Sequence, residues 1–243
     1  MSSFLLALQF LTAIPLKVKE FDARKLARAA AYFPLVGLTI GLLLSGVSYL
    51  VLLVNFSSFT LSVILVVALI VITGGMHLDG LADTADAFLS GKPKDEMLTI
   101  MRDPHIGVMG ALSVISVILL KISLLASLGE PLKITAALLM CLLSRWGVVL
   151  SMFLFPYARS EGKAKIFIKG MTPGLFVFSS ILTLVFAFAI WQASGLVALL
   201  VTVGFVYIFG KLCARKISGI TGDTLGAGIE LAEVTVLLIV CIL

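Results

Sequence analysis

Gly74-Gly75-Met76-His77-Leu78-Asp79-Gly80-Leu81-Ala82-Asp83-Thr84-Ala85-Asp86 stands between an apolar run, Leu61 to Ile72, and a polar segment, Ser90 to Arg102. Asp79, Asp83 and Asp86 are spaced i, i+4 and i+7. On a helix they fall within an arc of roughly 60°, so the three carboxylates share one face. Stacked like charges repel, and acids at a membrane boundary carry an insertion cost. The cluster therefore calls for a cation, and a hard divalent ion such as Mg2+ suits carboxylate oxygens, with waters or substrate phosphates completing its shell.

The rest of the chain is apolar around this stretch. Of 243 residues 60% are hydrophobic and 13% charged, and the mean hydropathy is +1.19. Soluble domains run near 25% charged, so the composition predicts an all-α polytopic membrane bundle of about seven spans. Residues 1–243 read as one integral membrane domain. An N-terminal interfacial or re-entrant helix is expected over Phe4 to Leu16, and an amphipathic surface segment over Lys17 to Arg28. Spans follow at Tyr32–Val54, Phe59–Gly75, Ile106–Leu128, Leu132–Phe155, Gly174–Trp191 and Leu196–Cys213. A short last apolar run ends at Leu243.

Met1-Ser2-Ser3 has no basic n-region, so no cleavable signal is expected. Cys141, Cys213 and Cys241 are scattered in apolar segments and read as small buried hydrophobes. The net charge of +5 is no sign of nucleic-acid binding, because no basic stripe with interleaved aromatics accompanies it. It reflects basic loops. Lys17–Arg28, Ser90–His105, Pro156–Thr172 and Lys211–Asp223 fall on one side of the membrane, and the turns opposite hold one basic residue, Lys133. The positive-inside rule makes the basic side cytoplasmic and puts the acidic motifs there. A location in the inner membrane, in contact with lipid, follows. The sequence does not fix the oligomeric state, and a homo-oligomer is compatible with it.

A second acidic motif lies in Ser218–Glu230. Asp223 and Glu230 are i and i+7, about 20° apart around a helix, with Gly222, Gly226 and Gly228 between and beside them. Asp79, Asp83, Asp86, Asp223 and Glu230 together would supply enough carboxylates for two Mg2+ ions bridging a diphosphate. The plain alternative is solvated helix ends paired with Lys or Arg. Arg102 is suited to clamp a phosphate, and Asp103 either adds a ligand or pairs within its loop. Arg145 lies inside a span, where an arginine faces a cavity or a counter-charge; it is expected at a phosphate, with a structural salt bridge as the alternative. His77 and His105 read as hydrogen-bonded structural residues, and Lys121 as a residue that snorkels.

Residues His77 to Asp86, Tyr32 to Gly37, Met101-Arg102-Asp103 with Ile106-Gly107, and Thr221 to Ala227 resemble, in order, the motifs of the cobalamin synthase family. The resemblance spans Phe10 to Glu230. It implies transfer between adenosylcobinamide-GDP and α-ribazole, or α-ribazole 5′-phosphate, with release of GMP and a requirement for Mg2+. A ribazole hydroxyl would attack phosphorus, with Asp83 or Asp86 as general base, and Thr224 joins Arg102, Asp103 and Arg145 as a substrate contact. Asp79-Gly80-Leu81-Ala82 is also similar to the start of the CDP-alcohol phosphotransferase motif, but Asp83 stands where that pattern has arginine and no later block completes it. A cation-coupled transporter is the reading from another class. Its acids belong near the bilayer midplane, whereas these cluster towards one face.

Overall fold

The structure is a computed structural model and describes residues 3–15, 23–162 and 164–243. The described residues are helical, with no strand beyond a single bridge between Tyr157 and Ile220. The order is α1 (Ser3–Leu11), α2 (Ala23–Ala29), a 3-10 turn (Ala30–Tyr32), α3 (Phe33–Leu52), α4 (Ser58–Thr73), α5 (Met76–Leu89), α6 (Lys94–Ile100), α7 (Val108–Ser127), α8 (Glu130–Leu154), α9 (Ala164–Gly170), α10 (Pro173–Ile217) and α11 (Gly222–Ile242). Of the N-terminal expectations, α1 is a nine-residue helix, too short to span. Lys17 and Lys19 lie outside the described residues.

Among the described residues five helices are long and apolar enough to cross a membrane, or six if α4 and α5 count as one bent span. The sequence divides the same chain into about seven. The difference lies largely in α10, whose 45 residues are interrupted by non-helical backbone at Trp191 and Gln192. Unbroken, it would run about 67 Å, more than twice the hydrocarbon thickness. Instead it doubles back. A Cβ on Gly195 would lie 2.0 Å from the Ala187 carbonyl oxygen, so the limbs 173–190 and 193–217 meet at the turn.

α8 is the axis of the bundle, and Leu139, Met140, Leu142 and Leu143 on it are fully enclosed. Lipid removes the hydrophobic drive between helices, so close backbone packing must hold them. Gly37 and Gly41 of α3 supply it against α8: a Cβ at Gly37 would stand 2.1 Å from the Cys141 carbonyl oxygen. By contrast Val108, Leu112, Ile115 and Leu119 of α7 are all exposed. Their i, i+4, i+7, i+11 spacing forms one apolar stripe, and such a stripe is the lipid-facing side of a span.

Backbone and side-chain ties sort the loops into two ends. At one end Ala13 N donates to Ile72 O (2.8 Å), and the Pro156–Ala158 segment exchanges hydrogen bonds with Ile220 (2.9 Å each). Lys216 Nζ reaches Phe88 O there (2.8 Å). At the other end Lys133 Nζ reaches Ser58 Oγ (2.8 Å) and Ser58 Oγ donates to Ala126 O (2.9 Å). The acid-bearing N-terminal parts of α5 and α11 belong to the first end.

Candidate active site

α4 ends at Gly74 (φ 64°) and α5 begins after Gly75 (φ 70°). Two successive left-handed residues are accessible to glycine at little cost, and their N–H groups close the end of α4 on Val71 O and Ile70 O. The chain turns by 90°. α5 therefore leaves the spanning direction and lies across the end of the bundle, with Asp79 exposed and Asp83 half-buried.

α11 crosses α5 at Gly80. A Cβ there would stand 2.8 Å from the Asp223 carbonyl oxygen and 3.1 Å from its Cα. Gly80→Leu is expected to force the two helices apart and abolish activity in protein that still inserts; wild-type activity in that variant would show that the crossing has no bearing on function.

Thr221 caps α11. Its Oγ1 accepts from Thr224 N (3.2 Å), and Thr224 Oγ1 accepts from Thr221 N (2.8 Å). Thr224, expected as a substrate contact, is buried in this helix cap. The cap fixes Asp223 in the first turn. The loop tied to Ile220 then brings Arg159 over it, with Arg159 NH2 2.8 Å from Asp223 Oδ2. Arg159 was not singled out in the sequence, where it is one of several cations in a basic loop. Burial raises the Tyr157 phenol in the same loop, and both Arg159 and Arg102 act on it in the opposite direction. That places exposed Arg102 on this side of the site.

The structure thus brings together Asp79, Asp83 and Asp223 from two helices. Partial burial, followed by the Asp79 and Asp223 carboxylates, pushes the Asp83 carboxyl from 3.8 up to about 7, and Arg159 offsets only part of this. The cluster carries more negative charge than its protein neighbours neutralise.

Asp86 is engaged elsewhere. Its Oδ2 accepts from Gly107 N (2.7 Å) and its Oδ1 from Gly110 N (2.8 Å). A carboxylate here complements the positive N-terminus of α7. Asp86, expected as a metal ligand and general base, stands here as the cap of α7, each oxygen accepting one backbone N–H. Asp86→Ala is expected to cost about 1–2 kcal/mol through the lost cap, read as a lower melting temperature in detergent. An unchanged melting temperature would mean that the cap contributes nothing.

Glu230, expected as a metal ligand, is paired deeper in the bundle. It lies seven residues beyond Asp223, about 10 Å deeper along the helix. Its Oε2 pairs with Lys121 Nζ (2.6 Å). Lys121 also pairs with Glu233, and Glu233 with Arg145 NH1. Arg145 and Glu233 are fully enclosed, and Lys121 is 2% exposed. Two cations and two anions form a neutral buried quartet. Arg145, expected at a phosphate with a salt bridge as the alternative, pairs through NH1 with Glu233 and with Ser144 (3.0 Å), and Lys121 is buried rather than snorkelling. Asp103 Oδ1 accepts from His105 N (3.0 Å) and lies 2.6 Å from His105 Nδ1. These bonds hold its carboxyl below the usual range and match the loop-pairing alternative. His77, expected to be hydrogen-bonded, is buried with neither ring nitrogen partnered among the described residues.

Among the described residues no three His, Cys, Asp or Glu side chains are grouped to hold a metal on their own. The donors still fit Mg2+, because that ion commonly takes one or two carboxylates and leaves its other positions to water and phosphate. The uncompensated charge around Asp83 favours any cation.

Residues 3–241 match the family model described as Cobalamin-5-phosphate synthase. The chain belongs to that family. Among the family's relatives, the adenosylcobinamide-GDP ribazoletransferase of Roseiflexus sp. (strain RS-1) is 39% identical over 95% of this chain and 86% of its own length. The proteins of that name from Desulfitobacterium hafniense (strain Y51) and Clostridioides difficile (strain 630) are 36% and 34% identical. They cover 96% and 100% of this chain, and 94% and 98% of their own lengths. No solved structure matches the chain.

Proposed function

We propose that the protein is a membrane transferase joining adenosylcobinamide-GDP to α-ribazole or its 5′-phosphate, giving adenosylcobalamin or its 5′-phosphate and GMP. The observation that carries this reading is the Asp79–Asp83–Asp223 cluster at the α5–α11 crossing, in a chain whose relatives are named for that reaction. A ribazole hydroxyl oxygen forms a bond to the phosphorus on the cobinamide arm, the bond from that phosphorus to GMP breaks, and the hydroxyl proton leaves to a base. Asp83 suits that base because it stands half-buried beside Asp79 and Asp223, while each Asp86 oxygen already accepts a backbone N–H. Phosphoryl transfer depends chiefly on positioning and charge stabilisation. Asp79 and Asp223 would hold Mg2+, which when bound neutralises charge on the diphosphate. Arg159 and Arg102 would bind phosphate oxygens, and Arg159 doubles as the cation that keeps Asp223 oriented. The basic loops at the same end of the bundle support a site on the cytoplasmic face of the inner membrane.

The test is turnover by purified protein in detergent. With Mg2+ and both substrates GMP should appear, and excess EDTA should stop it. A folded protein that releases no GMP with Mg2+ present would rule the reading out.

A further inference from the structure

Four charged side chains inside the bundle take no part in the steps above. Lys121 of α7, Arg145 of α8, and Glu230 and Glu233 of α11 come from three spanning helices, and none is more than 5% exposed. Lys121 Nζ lies 2.6 Å from Glu230 Oε2 and also pairs with Glu233, which in turn pairs with Arg145. Stability alone does not account for them. Charges inside a span carry an insertion cost, and apolar side chains of similar volume are often as stabilising as a buried ion pair or more so. What a buried charged set does enforce is register. Sliding α11 by one turn, about 5.4 Å, would part both glutamates from their cations and strand four charges in the bundle.

Register matters because α11 carries half of the site. Asp223 precedes Glu230 and Glu233 on one helix, Gly222–Ile242, so its depth follows theirs. The crossing itself offers little to stop a slip. A Cβ on Gly226 of α11 would stand 3.4 Å from the His77 Cα and 3.5 Å from the Gly80 Cα of α5. Glycine against glycine allows close approach but gives no side chains to interlock. Lys121 and Glu230 also border one small cavity with Thr73 and Leu78, which flank the turn that launches α5. The charges therefore adjoin both helices of the site. We propose that the quartet is a positioning device: it fixes the axial register of α11 against α7 and α8, and so sets Asp223 level with Asp79 and Asp83. Its kinetic consequence rests on the transferase reading, whereas the register itself does not.

The experiment uses two double variants of the full chain, each removing one cation and one anion and leaving the other pair intact: Arg145→Met with Glu233→Gln, and Lys121→Met with Glu230→Gln. Two such pairs cover the case in which one variant does not fold. In folded protein in detergent, kcat for GMP release should fall roughly tenfold or more, because small misplacements of reacting groups are costly. Arg145→Lys, which keeps its pair with Glu233, should retain most of kcat. The second readout needs no turnover. His77→Cys and Gly226→Cys, in a background with Cys141, Cys213 and Cys241 replaced by alanine, put two thiols at the crossing, and disulfide closure is sharply distance-dependent. The bridge should form with the quartet intact and form severalfold more slowly in each double variant. A purely structural quartet would lower the folded fraction but leave kcat per folded molecule and the closure rate unchanged. Wild-type kcat in either folded double variant, or equal closure rates with and without the quartet, overturns the proposal. Protein that releases no GMP but closes the bridge in a quartet-dependent way would sink the transfer reaction and leave the register assignment standing.

Discussion

Asp83→Asn is expected to lower GMP release by about a thousandfold and, in metal-free protein at pH 8, to raise the melting temperature. The loss follows from removing the group that takes the hydroxyl proton; positioned bases contribute roughly 10²–10⁴. The gain follows from the same crowding that suits Asp83 to its role. Burial, Asp79 and Asp223 push its carboxyl from 3.8 to about 7, so its charged form is less stable in the folded protein than in the unfolded chain. That cost is fully present above about pH 7, shrinks as the pH falls through 7, and is gone below 3.8. Unscreened, it corresponds to about 4 kcal/mol. The side chain is half-exposed, and solvent screening reduces this to about 1–2 kcal/mol. Thermal scans of both proteins in EDTA from pH 8 to pH 4 would check it: the Asn variant should lead at pH 8 and its advantage should fade towards pH 4. A variant that melts below wild type at pH 8 would show that the three carboxylates do not strain one another.

Arg145→Met is expected to reduce stability by about 3–5 kcal/mol, the usual cost of stripping one partner from a buried ion pair. It leaves Lys121 to neutralise both Glu230 and Glu233 inside the bundle. The melting temperature in detergent should drop by roughly 10 °C. Adding Glu233→Gln should recover a large part of the loss, because the remaining Lys121–Glu230 pair is again neutral. A variant with wild-type melting behaviour but a raised KM for adenosylcobinamide-GDP would return Arg145 to the substrate.

The architecture was largely legible because spans and their ends are local features. Apolar length places α3, α7 and α8, and the polar turn at Gln192–Ser194 lies where α10 folds back. The i, i+4, i+7 aspartates lie on one helix, as their spacing requires, and Asp223 joins two of them. The features that spacing does not carry share a physical origin. Angular projection aligns Glu230 with Asp223 but carries no information on depth, and two helical turns separate an interfacial acid from a buried one. α11 was also read as a polar segment followed by a short span, whereas one 21-residue helix runs through both. Asp86 and Arg145 have partners far along the chain: Gly107 and Gly110 for Asp86, Glu233 for Arg145. No periodicity encodes such pairings. Arg159 was overlooked for the same reason, since only the Tyr157–Ile220 bridge brings it to Asp223.

The most direct test of a single site built from two helices is a kinetic cycle on kcat/KM for GMP release with Asp83→Asn, Asp223→Asn and the double variant. Residues that act as one unit lose function together, so removing the second adds little. Each single variant should fall by about a thousandfold and the double should fall no more than roughly tenfold further. Losses that multiply, or wild-type turnover in either single variant, would mean that α5 and α11 do not share the reacting diphosphate.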